Sequence, residues 1–91
     1  MYSEKVNVIN ASGLHARPAS DFVQIAKGFT SKIKIKNASD PEGDEVNAKS
    51  VVMLLSLELS QGDAAQITAV GEDEEAAVKA LVKFVNEGCG E

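Results

Sequence analysis

The sequence predicts an α+β fold, an open-faced two-layer sandwich in the order β-α-β-β-α-β-α. Three helices cover one face of a four-stranded antiparallel sheet. Three observations point there. Apolar residues recur with a period of two in some segments and of three to four in others, so strands and helices alternate. The strand-like segments are apolar on one side only, which suits a sheet with one wet face. Clusters of Gly, Asn, Asp and Ser separate the segments.

Residues 5–10, Lys5 to Asn10, alternate as a first strand with Val6 and Val8 inward. Ala11-Ser12-Gly13 reads as a loop. From Ala16 the period changes: Ala19, Phe22, Val23 and Ala26 lie on one face of a helix. Pro18 fits only in its first turn, so the helix starts within a residue or two of His15. Gly28 is expected to end it as a left-handed C′ residue. Lys32 to Lys36 form the clearest strand, with Ile33 and Ile35 inward and three lysines outward. Turn formers fill residues 37–44, with Pro41-Glu42-Gly43 at their centre, and Glu45 to Ala48 return as a short hairpin strand. Ser50 caps a second, short helix containing Val51, Val52, Leu54 and Leu55. After Gln61-Gly62-Asp63, the residues Ala65, Ile67 and Ala69 alternate as a last strand, which Gly71 breaks. Asp73 is the expected side-chain cap of a final helix, with Glu74 and Glu75 in its first turn. Ala77, Val78, Leu81, Phe84 and Val85 form its apolar face, and Gly88 stops it.

The 91 residues suffice for one domain, 1–91, with 44% hydrophobic residues to build a core. A formal net charge of -5 argues against general nucleic-acid binding, since no dense Lys/Arg cluster exists to neutralise phosphates. The charges are segregated: Lys and Arg dominate residues 17–36, and Glu72-Asp73-Glu74-Glu75 form an acidic run. Cys89 is the only cysteine and reads as an incidental tail thiol without disulfide or metal spacing. No signal peptide is visible, and no apolar stretch approaches the ~18 residues a membrane span needs. A cytoplasmic protein is the expectation.

His15 is the only histidine, and it stands where a loop becomes a helix. The first N–H groups of a helix lack internal partners and carry partial positive charge, so a phosphoryl group is welcome there. Gly13 lets the backbone turn tightly ahead of it. Arg17 adds a permanent positive charge with a planar donor fork. A nitrogen nucleophile, backbone donors and a guanidinium thus meet in five residues, the parts a phosphoryl acceptor requires. No Gly-rich nucleotide loop or Mg²⁺ carboxylate cluster accompanies them. A partner must therefore supply the phosphoryl group, and no cofactor is expected. On spacing alone, His15 as a simple helix cap stays open.

Gly13-Leu14-His15-Ala16-Arg17-Pro18-Ala19 resembles the active-site motif of the HPr family, the histidine-containing phosphocarriers of the bacterial sugar phosphotransferase system. Ala26-Lys27-Gly28-Phe29, Asn47-Ala48-Lys49-Ser50 and Gly71-Glu72-Asp73-Glu74 resemble family segments in the same order, so the likeness spans the chain. It implies a sheet of strand order 1-4-2-3 and a carrier rather than an enzyme. It implies that enzyme I, charged by phosphoenolpyruvate, phosphorylates His15 at Nδ1, and that enzyme IIA domains accept the group. Arg17 carries over with it, and Ser12 and the backbone of Ala16 match the surroundings of the phosphate. Ser50 matches a regulatory serine that in some Firmicutes a dedicated ATP-dependent kinase phosphorylates. Val51, Val52, Met53 and Leu55 are implied as a docking patch for partners, with Lys27, Ser56 and Gln61 on its rim. Met53 and Glu58 stand where the Firmicute pattern has glycines, and the hairpin around Pro41 is about four residues longer than in common members. A monomer is expected.

The sequence is compatible with four readings. The chain is a carrier for sugar uptake; a carrier in a nitrogen- or regulation-linked chain; a regulatory module that binds a transcription factor with Ser50 as its switch; or a small-ligand domain in which His15 only caps a helix.

Overall fold

The computed structural model describes residues 1–40 and 42–89; Pro41 of the expected turn, and Gly90 and Glu91 of the expected domain, lie outside the described residues. The elements are β1 (Tyr2–Asn7), α1 (Ala16–Lys27), β2 (Lys32–Asn37), β3 (Val46–Asn47), α2 (Val51–Leu55), β4 (Ala64–Val70) and α3 (Glu74–Asn86). The strands form one antiparallel sheet in the order β1-β4-β2-β3. The expected element order and strand order are both found.

Alternation decides which sheet face is dry. Val6, Ile33, Ile35, Val46, Ala65, Ile67 and Ala69 are buried under the helices. From the other layer come Phe22 and Val23 of α1, Leu54 of α2, and Val78, Leu81 and Val85 of α3. Each large apolar side chain so buried contributes roughly 1.5–3 kcal/mol before entropy is charged against it. Phe22 and Phe84 meet at a tilt, with ring centroids 6.5 Å apart, and lock α1 to α3.

Several local expectations are corrected. β1 begins at Tyr2 and ends at Asn7, not at Lys5 and Asn10, because β4 offers partners from Ala69 back to Ala64. Val8 is buried as expected, but outside the ladder: its N–H donates to the Asp63 carbonyl (2.8 Å), and its carbonyl accepts from Gly62 N–H (2.8 Å). Gly28 is right-handed (φ -75°), not left-handed. Its N–H bonds the Ile25 carbonyl and Phe29 N–H bonds that of Ala26, so the last turn tightens instead of reversing. β3 is two residues long, not four. The turn formers ahead of it close Asx turns, with Asn37 Oδ1 accepting from Ser39 N–H and Asp40 Oδ1 from Glu42 N–H.

Asp73 occupies the cap position of α3 but makes no side-chain cap bond. Its carboxylate instead accepts from the N–H groups of Thr30 and Ser31, at 2.9 Å each, and from the Ser31 hydroxyl. It ties the start of α3 to the start of β2. Cys89 is no tail thiol: at 3% exposure it belongs to the core. Gly88, in the left-handed region (φ 81°), turns it inward after α3. Among the described residues no helix is long and apolar enough to cross a membrane.

Candidate functional site

The loop between β1 and α1 is built to hold one residue in place. Asn10 closes it twice: its carbonyl accepts from Gly13 N–H (3.1 Å), and its side-chain amide donates to the Gly13 carbonyl (2.9 Å). Gly13 is left-handed (φ 65°), and a Cβ there would stand 2.4 Å from the Leu59 carbonyl oxygen. Glycine is therefore required both by conformation and by the close approach of the loop that follows α2. Leu14 is fully buried, and its N–H donates to that same Leu59 carbonyl (2.9 Å). A rigid anchor thus sits immediately before His15.

His15 takes the N-cap position of α1 in extended backbone (φ -125°, ψ 162°), half-buried, and its side chain makes no cap hydrogen bond. A capping histidine would spend a ring nitrogen on the helix; this one does not. Ala16 follows with φ 51°, an uncommon left-handed conformation for a residue with a Cβ. The N–H groups of Ala16 and Arg17 have no acceptor within the helix by position, and Pro18 has none to offer. The positive helix end and two backbone donors therefore lie beside the imidazole.

Arg17 is 91% exposed. Its Nε stands 3.7 Å from Asp21 Oδ2, one turn on, a loose ion pair that leaves the guanidinium able to swing toward an arriving anion. Ser12 is exposed in the same loop. Gln61 donates from Nε2 to the Ile9 carbonyl (3.0 Å), pinning the loop after α2 against the loop before α1.

α1 and α2 run side by side in opposite directions. Leu59, after α2, bonds Leu14, before α1; Lys49, ahead of α2, donates from Nζ to the Phe29 carbonyl (2.7 Å), beyond α1. His15 and Ser50 therefore mark opposite ends of one surface. Ser50 caps α2, its hydroxyl accepting from Met53 N–H (3.3 Å). Between the two ends α2 exposes Val52 (76%), Met53 (43%) and Leu55 (38%), while Val51 is half-buried. Ser56 is exposed at its end. Lys27 is exposed at the far end of α1, about 18 Å of helix from His15.

Sequence reading missed three parts of this site. Asn10 was detectable as the first residue of an Asn-x-x-Gly turn. The left-handed Ala16 has no sequence signal, because alanine favours the right-handed helix. Ile9, 51% exposed beside the loop, has no signal that sets it apart in a strand-like run.

A known family describes the same arrangement. The family model of the "PTS HPr component phosphorylation site" matches residues 2–87. The chain belongs to the HPr family. It is 44% identical to the phosphocarrier protein HPr of Haemophilus influenzae over 85 residues, covering 93% of this chain and 95% of that protein. It is 42% identical to the HPr-like protein Crh of Bacillus subtilis over 87 residues, covering 96% and 98%. The solved structure of HPr from Thermoanaerobacter tengcongensis superposes with a TM-score of 0.90 at 42% identity, covering all of this chain and 98% of that one. The open-faced sandwich with strand order 1-4-2-3 is thus the HPr fold, and the chain is a phosphocarrier-family protein of the phosphotransferase system.

Proposed function

We propose that this HPr-family chain carries phosphoryl groups on His15, receiving them from enzyme I and passing them to enzyme IIA domains. The observation that carries the reading is the imidazole at the N-cap of α1, which is not used as a cap and lies at the positive end of the helix.

The chemistry follows from the groups present. A neutral ring nitrogen, Nδ1 by the family likeness, attacks phosphorus of the donor enzyme. The new N–P bond forms as the donor's bond to phosphorus breaks, and the phosphoryl charge passes to His15. The N–H groups of Ala16 and Arg17 and the Arg17 guanidinium stabilise the oxygens of the transferring group, with Ser12 as a further contact. The reverse motion discharges His15 to the next acceptor. Val51, Val52, Met53 and Leu55 form the surface on which donor and acceptor dock in turn, with Lys27, Ser56 and Gln61 at its rim. An apolar patch beside the reacting residue suits brief protein contacts. The chain acts as a carrier between enzymes in the cytoplasm, as a monomer, and needs no cofactor.

The test is incubation with enzyme I and phosphoenolpyruvate, followed by mass spectrometry of the intact protein. One added phosphoryl group, lost in acid, is expected. A folded protein that gains none beside an active enzyme I contradicts the reading.

A regulatory reading attaches to Ser50, whose hydroxyl stands at a helix start and at the edge of the same surface. A phosphate there would put about two negative charges on the docking face and repel acidic partners. A dedicated serine kinase and a transcriptional regulator would be the partners. Incubation with such a kinase and ATP should add an acid-stable phosphate that Ser50→Ala abolishes; a phosphate that survives Ser50→Ala lies elsewhere and removes this reading.

A further inference from the structure

The sheet face that the helices leave open takes no part in the site above, and its charge is unlike that of the whole molecule. Strand register lays out its rows. Lys5 and Lys36 flank Gln66; Ser3 and Lys34 flank Thr68; Lys32 lies beside Val70. The four lysines of β1 and β2 all point to this face. Glu4, the one carboxylate in the four strands, pairs with buried Ile67 on the opposite, helix-covered face. Among the described residues none of these lysines forms an ion pair; the ion pairs join Met1 to Glu74, Arg17 to Asp21 and Lys79 to Glu75. A hollow of about 300 Å³ at the edge of the face is ringed by Lys32, Lys34 and Lys49 and contains no carboxylate. A protein of net charge -5 therefore presents, across β1, β4 and β2, a face on which every charged side chain is a lysine.

We propose that this face rests on an anionic lipid surface, its lysines among the phosphate headgroups. Complementary charge selects an anionic occupant. The make-up of the face selects lipid over an acidic protein. Protein interfaces are centred on aromatic, Met or Arg anchors and are poor in lysine. This face has lysines, small polar side chains and a single exposed Val70, with no aromatic residue and no arginine. A plane of headgroups requires no anchor pocket; it requires flexible point charges on a flat support. The net negative charge does not forbid the contact. The molecule is 21 Å through its shortest dimension, and the Debye length at physiological salt is about 8 Å. The hairpin carboxylates Asp40, Glu42, Asp44 and Glu45 line a groove with Met53 and Ser56 at the β3 edge of the sheet. Docked this way, His15 and the exposed side of α2 face away from the lipid and stay open to protein partners. The proposal does not depend on phosphoryl transfer.

Vesicle sedimentation tests it, with phosphatidylglycerol and phosphatidylcholine in equal parts against phosphatidylcholine alone. The chain is expected to sediment with the anionic vesicles at low salt, to come off at high salt, and to ignore the neutral ones. Changing Lys5, Lys32, Lys34 and Lys36 together to Gln should weaken binding by about six-hundredfold, at roughly fivefold per lysine. The same four changed to Arg should retain binding, which separates lost charge from lost fold. Lys79→Gln with Lys83→Gln, on α3, should leave binding within about twofold. No sedimentation with anionic vesicles at low salt overturns the proposal, as does equal loss in the α3 variant. So does a third result, in which a poly-glutamate peptide shifts the amide signals of the sheet lysines while the vesicles bind nothing; that would assign the face to an acidic protein.

Discussion

Arg17 and Gly13 flank His15, and they should fail in opposite ways when changed. Arg17 is exposed and only loosely paired with Asp21, so its removal should leave stability within about 0.5 kcal/mol. In the proposed mechanism its guanidinium acts only when a phosphoryl group arrives, so Arg17→Ala should slow transfer from enzyme I by about a hundredfold. Stopped-flow transfer rates beside a denaturant melt check both halves, and a slow variant that is also unstable would refute the division. Gly13→Ala should do the reverse. Its new methyl group would collide with the Leu59 carbonyl, on a backbone already left-handed, and should cost about 2 kcal/mol or more. A melt showing no loss would mean that the loop before His15 is not held as described. The sequence placed His15, Arg17 and Gly13 together, because a histidine, an arginine and a glycine at these offsets have readable chemistry. It could not show Ala16 in the left-handed region, since that conformation runs against alanine's own preference.

Among the elements, Asp73 carries the least foreseen role. Serine, threonine and aspartate at a helix start are read as caps, and Ser50 obeys that rule. Asp73 stands at a helix start too, yet its carboxylate serves Thr30 and Ser31, 43 and 42 residues away in sequence, which no local pattern encodes. The Ser31 hydroxyl above all, then the Thr30 N–H, hold the Asp73 carboxyl at about 2, below its ordinary 3.8. A depressed carboxyl pKa stabilises the folded state above the unfolded value and loses that effect as pH falls through the folded one. The contribution should be complete above pH about 3.8 and fade toward pH 2. Asp73→Asn should flatten the acid limb of the stability profile in that window and lower stability at neutral pH. Melts taken across the window check this, and an unchanged acid limb would contradict it. The same contrast explains the other element-scale corrections. β1 is displaced because β4 decides its register, and β3 ends early because Asn47 Oδ1 accepts from Lys49 N–H in an Asx turn that leads the chain into α2.

At the scale of the molecule, the two-layer plan was legible because strand alternation and helix periodicity separate wet from dry residues over most of the chain. Strand order was not: alternation says which side of a strand is buried, and nothing about its neighbours. That came from the family likeness, and the antiparallel order β1-β4-β2-β3 agrees with it. The layers also present two different surfaces. The helix layer holds His15, Ser50 and the exposed apolar side of α2 on one surface, and the open sheet collects Lys5, Lys32, Lys34 and Lys36 on the other. His15 is half-buried and caps nothing with its side chain, so His15→Ala should keep the fold, with stability changed by no more than about 1 kcal/mol. That makes it the cleanest probe of the carrier function. Intact-protein mass spectrometry after incubation with enzyme I and phosphoenolpyruvate should show one acid-labile phosphoryl group on the unaltered chain and none on folded His15→Ala. A phosphoryl group that persists in the variant, or never forms on the unaltered protein beside active enzyme I, would contradict the account.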